Sequence, residues 1–321
     1  MTMESADRPA TKSRGSCYHS GMKRLRLQIA ALGALCVAVA GPLTGAQDGK
    51  TLIRLVPKPN ETFRFEATQH MEMDITADGM PQTSVPMLRK LVTDYIFGFT
   101  EKTGPLTEQG NVDAEVAYDR ISLAQSIDGK PLPTLSMDKE LEGKSITFTF
   151  DKEGKIIDVK LPAEALASGE TLKEMMNSFF GSIPAGLMGI GETVTKPFSM
   201  PLPLPTPGPD PLTITGQTGY RLLAVAREGG ETVARLDQIV EASLQRKLEI
   251  PLPEGKATVE IDFQVNGAGE LLLSLDKGIM KSNRLQLTIK GTLVTTPDPA
   301  NTPPQTLKLN GLSRMTSSGS Y

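Results

Sequence analysis

Residues 61–76 read ETFRFEATQHMEMDIT, with Phe63, Phe65, Ala67, Met71, Met73 and Ile75 on odd positions and polar or charged residues on the even positions from Thr62 to Thr76. A period of two held over so many residues predicts one long strand with a buried face and a wet face. The same alternation recurs in ITFTFDKEGKIIDVKL at 146–161. There Ile146, Phe148 and Phe150 form one strand, Ile157, Val159 and Leu161 the next, and Gly154 closes the turn between them. Residues 257–275, ATVEIDFQVNGAGELLLSL, predict a second hairpin that turns at Asn266-Gly267. In VDAEVAYDRISL the apolar positions run even through Val112, Ala114, Val116 and Tyr118, then odd at Ile121 and Leu123. That change of phase predicts a bulge near Asp119, which bends a strand while keeping its apolar face inward.

One stretch breaks the pattern. In TLKEMMNSFFGSI, Leu172, Met175, Met176, Phe179 and Ile183 follow helical spacing, Thr171 and Glu174 make a capping box, and Pro184 and Gly186 end the run. Four short matches recur in order along the chain. NETFRF at 60 pairs with GETVTK at 191, Tyr95 with Tyr220, VAYDRIS at 116 with VARLDQI at 233, and GKSITFTF at 143 with GKATVEIDF at 255. They point to two related halves, with chance likeness among β-rich segments as the competing reading. The expected fold class is mainly β with one helix (α+β): curved antiparallel sheets in two duplicated halves and an amphipathic helix between them. The first β half is 47–162, the helix with a Gly-rich loop 163–190, and the second β half 191–317.

PLPLPTPGPDP at 201–211 places proline at every second residue. Alternate residues of a strand send their N–H groups to the same edge, so these prolines would remove donors from one edge only. The run is expected as an edge strand that guards against aggregation, with a polyproline connector or docking ligand as the rival.

Residues 22–46, MKRLRLQIAALGALCVAVAGPLTGA, have a basic start at Lys23, Arg24 and Arg26, an apolar stretch from Leu27 to Ala40, and a small-residue cleavage site ending at Ala46. They are expected to be a signal peptide, with 1–21 an upstream extension and Met22 an alternative start. The mature chain is then exported, to the periplasm or beyond the cell, with no integral membrane span. Cys17 and Cys36 both precede the cut, so neither disulfide nor thiol chemistry would be open to the mature chain.

The whole chain has 34 basic and 37 acidic residues, of which residues 1–46 hold six and two, leaving 28 against 35. Such a mildly acidic protein lacks the electrostatic footprint of a nucleic-acid partner.

One histidine, His70, follows the cleavage site. The usual zinc sites and a Ser-His-Asp triad are therefore improbable, no GxSxG elbow occurs, and no cofactor is implied. His70 falls on the wet face of its strand, near Thr68 and Glu72, and reads as a solvated histidine. The loop GSIPAGLMGIGE at 181–192 follows a helix and carries no lysine, so it is no phosphate cradle. It reads as a flexible apolar turn or a buried hinge, with Ile183, Leu187, Met188 and Ile190 as candidates for the lip of an apolar pocket.

The segments EVAYDRISL, LEGKSITFTFDKEGKIIDV, the helix and GIGETVTKPFSMPLP resemble, in their order, an uncharacterised family of exported bacterial β-rich proteins. In that family a G-K-x-hydrophobic strand, a D-x-x-G turn and a helix precede a v-G-[ED]-[TS]-W segment; here Val194 stands at the tryptophan. The resemblance implies no activity and transfers no functional residue. The outline is also similar to periplasmic lipoprotein carriers and lipid-binding lipoproteins.

The expected function is that of a non-enzymatic exported binding protein. Its hydrophobic small-molecule partner, a lipid or similar ligand, would lie in an apolar cleft walled by Phe63, Phe65, Met71, Met73, Met175, Met176 and Phe179. The alternatives are an envelope scaffold that engages another envelope protein, and a carboxylate-dependent hydrolase.

Overall fold

The odd-position stripe of residues 61–76 becomes a strand, Thr62–Asp78, with Phe63, Phe65 and Ala67 buried and the even positions Thr62 to Thr68 exposed. In a computed structural model of the protein, the described residues are 49–53, 58–78, 90–132, 135–136, 144–152, 154–161, 184–201, 212–252, 255–298 and 304–320. They form fifteen strands. These are β1 (Lys50–Ile53), β2 (Thr62–Asp78), β3 (Lys90–Thr103), β4 (Val112–Ile127), β5 (Lys130–Pro131), β6 (Leu135–Ser136), β7 (Ser145–Phe150) and β8 (Ile156–Lys160). The chain continues as β9 (Gly186–Gly189), β10 (Thr193–Pro201), β11 (Thr213–Glu228), β12 (Glu231–Leu252), β13 (Gly255–Ser274), β14 (Ile279–Asp298) and β15 (Gln305–Ser320). The protein is mainly β, with no helix among the described residues. The expected helix at 171–183, with Met175, Met176 and Phe179, and the expected signal peptide at 22–46 lie outside the described residues, as does the proline run beyond Pro201.

Thirteen strands make one antiparallel sheet in the order β10-β11-β12-β13-β14-β15-β2-β3-β4-β7-β8, with β5 and β6 on β4; β1 and β9 pair separately. The expected halves are therefore not separate sheets, because β15 pairs with β2 over residues 306–320 and 64–78 and fuses two meanders into one surface. Each strand turns straight back beside its predecessor where the turn chemistry permits. Gly229 and Gly230, both at positive φ, close a two-residue hairpin between Glu228 and Glu231, and Asp128-Gly129 does the same between Ile127 and Lys130.

The bulge expected near Asp119 is present: Gly98 pairs with Arg120 and Phe99 with Tyr118, which leaves Asp119 as the extra residue. The expected hairpin at Asn266-Gly267 is absent. Residues 255–274 are one strand, and its inward parity runs unbroken from Val259 through Gly267 to Leu273. The Asn-Gly pair misled because a turn would have broken that parity, and nothing in the flanking residues does. In β8 the inward residue next to the turn is Ile156, fully buried, whereas Ile157 is exposed, since a bulge between β7 and β8 shifts the register there. The loop expected at 181–192 contains a strand, β9. Its Met188 is buried, which removes it from the expected exposed lip, while Leu187 and Ile190 are exposed.

A single register row shows how far the sheet coils. Ile121, Phe97 and Ala67 on β4, β3 and β2 lead to Ser317 and Asn283 on β15 and β14, then to Leu271, Leu236 and Leu222 on β13, β12 and β11. All eight are buried. Phe148, Phe150 and Ile156 from one end of the sheet belong to the same core cluster as Tyr220, Leu222 and Leu236 near the other end. Residues so distant along a sheet share one core only where the sheet rolls its inner face upon itself. Ile53 of β1 and Met188 of β9 pack into this cluster and cap it.

Glycine on the inner face permits the tight coil. A Cβ at Gly269 would fall on the carbonyl oxygen of Arg284 in β14, so only glycine allows the two backbones to approach this closely. At Gly291 the ring of Phe263, its cross-strand partner, occupies the space a side chain would need. An aromatic ring over a cross-strand glycine restores the packing that glycine lacks.

Candidate functional site

The inner face divides into three zones along the strands. The first is an aromatic floor at the end capped by β1 and β9. Phe65 and Phe99 are direct cross-strand partners with rings stacked 5.0 Å apart, Phe97 and Phe99 lie 5.5 Å apart, and Tyr118 meets Phe97 edge-on at 5.8 Å. These offset and edge geometries are the favoured arrangements of aromatic pairs. Of the residues expected to wall a cleft, Phe63 and Phe65 belong to this floor and are 3% exposed. They pack into the protein's own core instead of lining an open space. Burial also pushes the Tyr118 hydroxyl well above its ordinary range.

Glu101 lies within the floor. Its direct partners on the neighbouring strands are Phe63 and Val116, it is buried, and its Oε2 has no hydrogen-bond partner. Desolvation raises its pKa well above the ordinary carboxyl value, so the protonated form is favoured. Position 101 continues the inward parity of Phe97 and Phe99 on β3, and nothing in the sequence distinguishes a buried acid from a strand-end acid turned outward.

The second zone is a polar belt above the floor. Of the eight buried polar residues among the described residues, six lie in three consecutive register rows: Ser317 and Asn283, then Gln238, then Thr93, Ser313 and Thr218. Half-buried Gln69 donates from Nε2 to Ser313 Oγ at 2.9 Å, Gln125 donates to Thr93 Oγ1 at 3.3 Å, and Ser317 Oγ contacts Met280 Sδ at 3.7 Å. Gln238 Oε1 and Asn283 Oδ1 have no hydrogen-bond partner. The sequence reading missed this belt, since Gln69, Gln238 and Asn283 simply interrupt an apolar parity. Their inward position becomes legible only once both flanks of each strand are aligned.

The third zone is the remaining inner face. In the next rows Met73, Leu91, Ile289, Val265 and Phe198 face inward and are half-buried, followed by Ile75, Leu309 and Phe263. Of the expected wall residues, Met73 lies in this zone and Met71 in the last belt row, opposite Thr93 and Ser313; both are half-buried. Along β2 the stretch from Met73 to Ala77 spans four residue steps, about 13 Å at strand rise. A second apolar cluster of Leu212, Leu244, Val259 and Ile261, with Ile214 and Phe263 against it, continues the surface along the far ends of β11 to β13.

The outer face is the chemical opposite. Arg221 pairs with Asp237 at 2.5 Å, Lys247 with Glu260 at 2.8 Å, Lys308 with Asp78 at 2.8 Å, and Arg235 with Glu270. Each bridges adjacent strands in solvent, where such a pair is worth about 0–1 kcal/mol. Their meaning is that this face is wet. His70 lies here, as its parity predicts. Its Nδ1 is 2.7 Å from Asp94 Oδ1 and its Nε2 3.2 Å from Glu72 Oε1, and Glu72 also pairs with Lys90 Nζ at 2.6 Å. The hydrogen bond to Asp94, then that to Glu72, raises the His70 pKa above 6.5. Asp94 is the direct cross-strand partner of His70, a relationship the sequence does not contain.

Two open concavities of about 460 and 390 Å³ share Asp262 on this outer face. Charged and polar residues such as Lys247, Glu260, Lys290 and Asn310 line them, together with Ile261, Gly291 and Leu309. Among the described residues, no group of three or more His, Cys, Asp or Glu is placed to hold a metal ion. No described helix is long and apolar enough to cross a membrane.

β10 closes one end of the sheet order. Pro197 pairs with Gln217 and Pro201 with Thr213 across the β10–β11 ladder. Proline has no N–H to give, so these odd positions turn toward the edge away from β11. They share parity with the prolines at 203 to 211.

No family model matches the sequence, and no curated protein matches it. Among solved structures, the chain is similar to one described as "Asymmetric conductivity of engineered proteins", at 9% identity over 79% of this chain and 100% of that chain, TM-score 0.24. It is also similar to in-vitro folded OmpT, an outer membrane protein of Vibrio cholerae in its trimer form, at 6% identity over 82% of this chain and 100% of that chain, TM-score 0.14. Likenesses at these TM-scores carry no inference about fold or function.

Proposed function

We propose that the protein is an exported, non-enzymatic carrier or receptor for a lipid-like ligand, which lies along the apolar inner face of the coiled sheet beyond the polar belt. The observation that carries this reading is the polarity of the sheet. Its outer positions bear exposed charges on successive strands, and its inner positions bear a continuous run of half-buried Met, Leu, Ile, Val and Phe side chains. A large apolar surface that is neither fully packed nor scattered marks a place where something apolar binds. A membrane-spanning β-barrel needs the reverse, with apolar side chains outward and polar ones inward. The polarity supports a water-facing protein that holds its apolar partner inside.

The signal-like pattern of residues 22–46 supports export, and the charge balance argues against a nucleic-acid partner. The alternative of an envelope scaffold working through its sheet edge draws less support, because Pro197 and Pro201 remove donors from the outward edge of β10. The hydrolase alternative needs two facing acids, and the direct strand partners of buried Glu101 are Phe63 and Val116.

Organic extraction of the purified mature protein, followed by mass spectrometry, tests the reading. A stoichiometric amphiphile in the extract supports it. Extracts empty of lipid from every host, together with failure to take up added lipid, would reject it.

A further inference from the structure

We infer that the polar belt is a head-group site and that it selects an uncharged amphiphile bearing a hydrogen-bond donor, such as a hydroxylated acylglycerol, inserted head first. The inference rests on the lipid-binding reading above and deepens it. Gln238 and Asn283 are 8% and 7% exposed, and each holds a side-chain oxygen without a partner. A buried carbonyl left unpaired is costly, and native proteins almost always satisfy such groups. Both residues face the interior from positions flanking β13: Gln238 pairs with Gly269, and Asn283 with Leu271.

At Gly269 the backbones of β13 and β14 come together more closely than any side chain would allow. On the concave side of such a bend, the inward side chains of β12 and β14 converge. Two unsatisfied acceptors thus lie on the strands either side of β13, one inward row apart and beside the aromatic floor. A polar group that reaches them can go no deeper, and the half-buried apolar rows from Met73 to Phe263 then run beside whatever chain follows it.

Charge fixes the class. The three belt rows contain one inward basic or acidic residue among the described strands, Lys196 on β10, which pairs with Thr218 at the margin of the belt. A carboxylate or phosphate drawn in beside Gln238 and Asn283 would be desolvated without a cation there, a large penalty. A hydroxyl incurs no such penalty and donates to the waiting oxygens. A side-chain amide can present either its oxygen or its nitrogen, so a hydroxyl, which both donates and accepts, suits either orientation.

Displacement of a fluorescent naphthylamine from the purified chain provides the test, with monomyristoylglycerol, methyl myristate and myristate as competitors. The methyl ester has the same chain and no donor. Monomyristoylglycerol is expected to bind about three- to tenfold more tightly than the ester, the worth of one hydrogen bond. Gln238→Leu and Asn283→Leu should each weaken glyceride binding to the level of the ester, so that the preference disappears. If either variant fails to fold, as judged by circular dichroism, the other decides.

Equal binding of glyceride and ester in the unaltered protein would overturn the head-group assignment and leave the apolar site standing. Myristate as the tightest competitor, with its advantage lost in Lys196→Met, would also overturn it. Absence of probe uptake and of binding by all three lipids would instead reject the underlying lipid reading.

Discussion

Gly269 lies so close to Arg284 that a Cβ at position 269 would occupy the place of the Arg284 carbonyl oxygen. This contact between neighbouring backbones sets the bend at which the inner face of the sheet turns upon itself. Gly269→Ala must therefore push β13 and β14 apart, and a loss of about 2–3 kcal/mol or more is expected, the scale of overpacking in a fixed core. Gly219, on β11, has no neighbour nearer than 4.0 Å to its Cβ position. Gly219→Ala should change stability by less than about 1 kcal/mol. Urea denaturation of the two variants compares them directly; equal stability would refute the account of curvature.

Glu101 links the core to pH. Its folded pKa is raised by burial, so the folded state holds its proton over a range where the unfolded chain has released it. Its contribution to stability is complete below the unfolded value of about 4.3 and declines as pH rises through the folded value. Glu101→Gln should flatten this decline. Glu101→Met, which also removes the orphan oxygen, should raise stability at pH 7–8 by roughly 1–3 kcal/mol. Unfolding curves at pH 4 and pH 8 provide the check, and a parent protein no less stable at pH 8 would contradict it.

His70 behaves in the opposite setting, on the wet face. Asp94 and Glu72 raise its pKa, so its small stabilising effect is present below the unfolded value of about 6.5 and fades as pH passes through the folded value. Exposure limits the effect to below about 1 kcal/mol. An NMR titration should place the His70 midpoint above 6.5, and Asp94→Asn should bring it down. A midpoint unmoved by Asp94→Asn would show that the pair is not formed in solution.

Met73 tests the apolar zone. It faces inward and is half-buried beyond the polar belt, opposite Leu91 and Gly311. Met73→Asp should abolish lipid uptake at a modest cost in stability, whereas Glu66→Lys on the exposed face of the same strand should leave uptake unchanged. Equal uptake by both variants would place the ligand elsewhere.

Much of this fold was legible because alternation is a local property. The parity of 61–76 gave β2 and its faces, and the phase change after Tyr118 gave the bulge at Asp119. Parity also held the correction that the Asn266-Gly267 signature concealed: the inward odd positions continue past Gly267, so no turn occurs there. What the alternation could not supply was pairing across long sequence distances. Nothing in the residues of β2 announces β15 as its neighbour, and so the two halves read as separate sheets.

The same gap hid the candidate site. Gln238 and Asn283 are single polar breaks in two apolar stripes, and they become a pair only when β12, β13 and β14 are in register. Phe63 and Phe65 differ in the other direction. Their size and inward parity made them attractive as cleft walls, yet cross-strand stacking with β3 uses them as floor.

Photolabelling with a diazirine-bearing acyl lipid, followed by peptide mapping of the adducts, tests the central claim most directly. The account expects saturable labelling on the inward positions of β2, β14 and β15, such as Met73, Ile289 and Leu309, with Glu66, Lys290 and Lys308 unlabelled. Adducts confined to the outward, charged positions, or labelling that does not saturate, would contradict it.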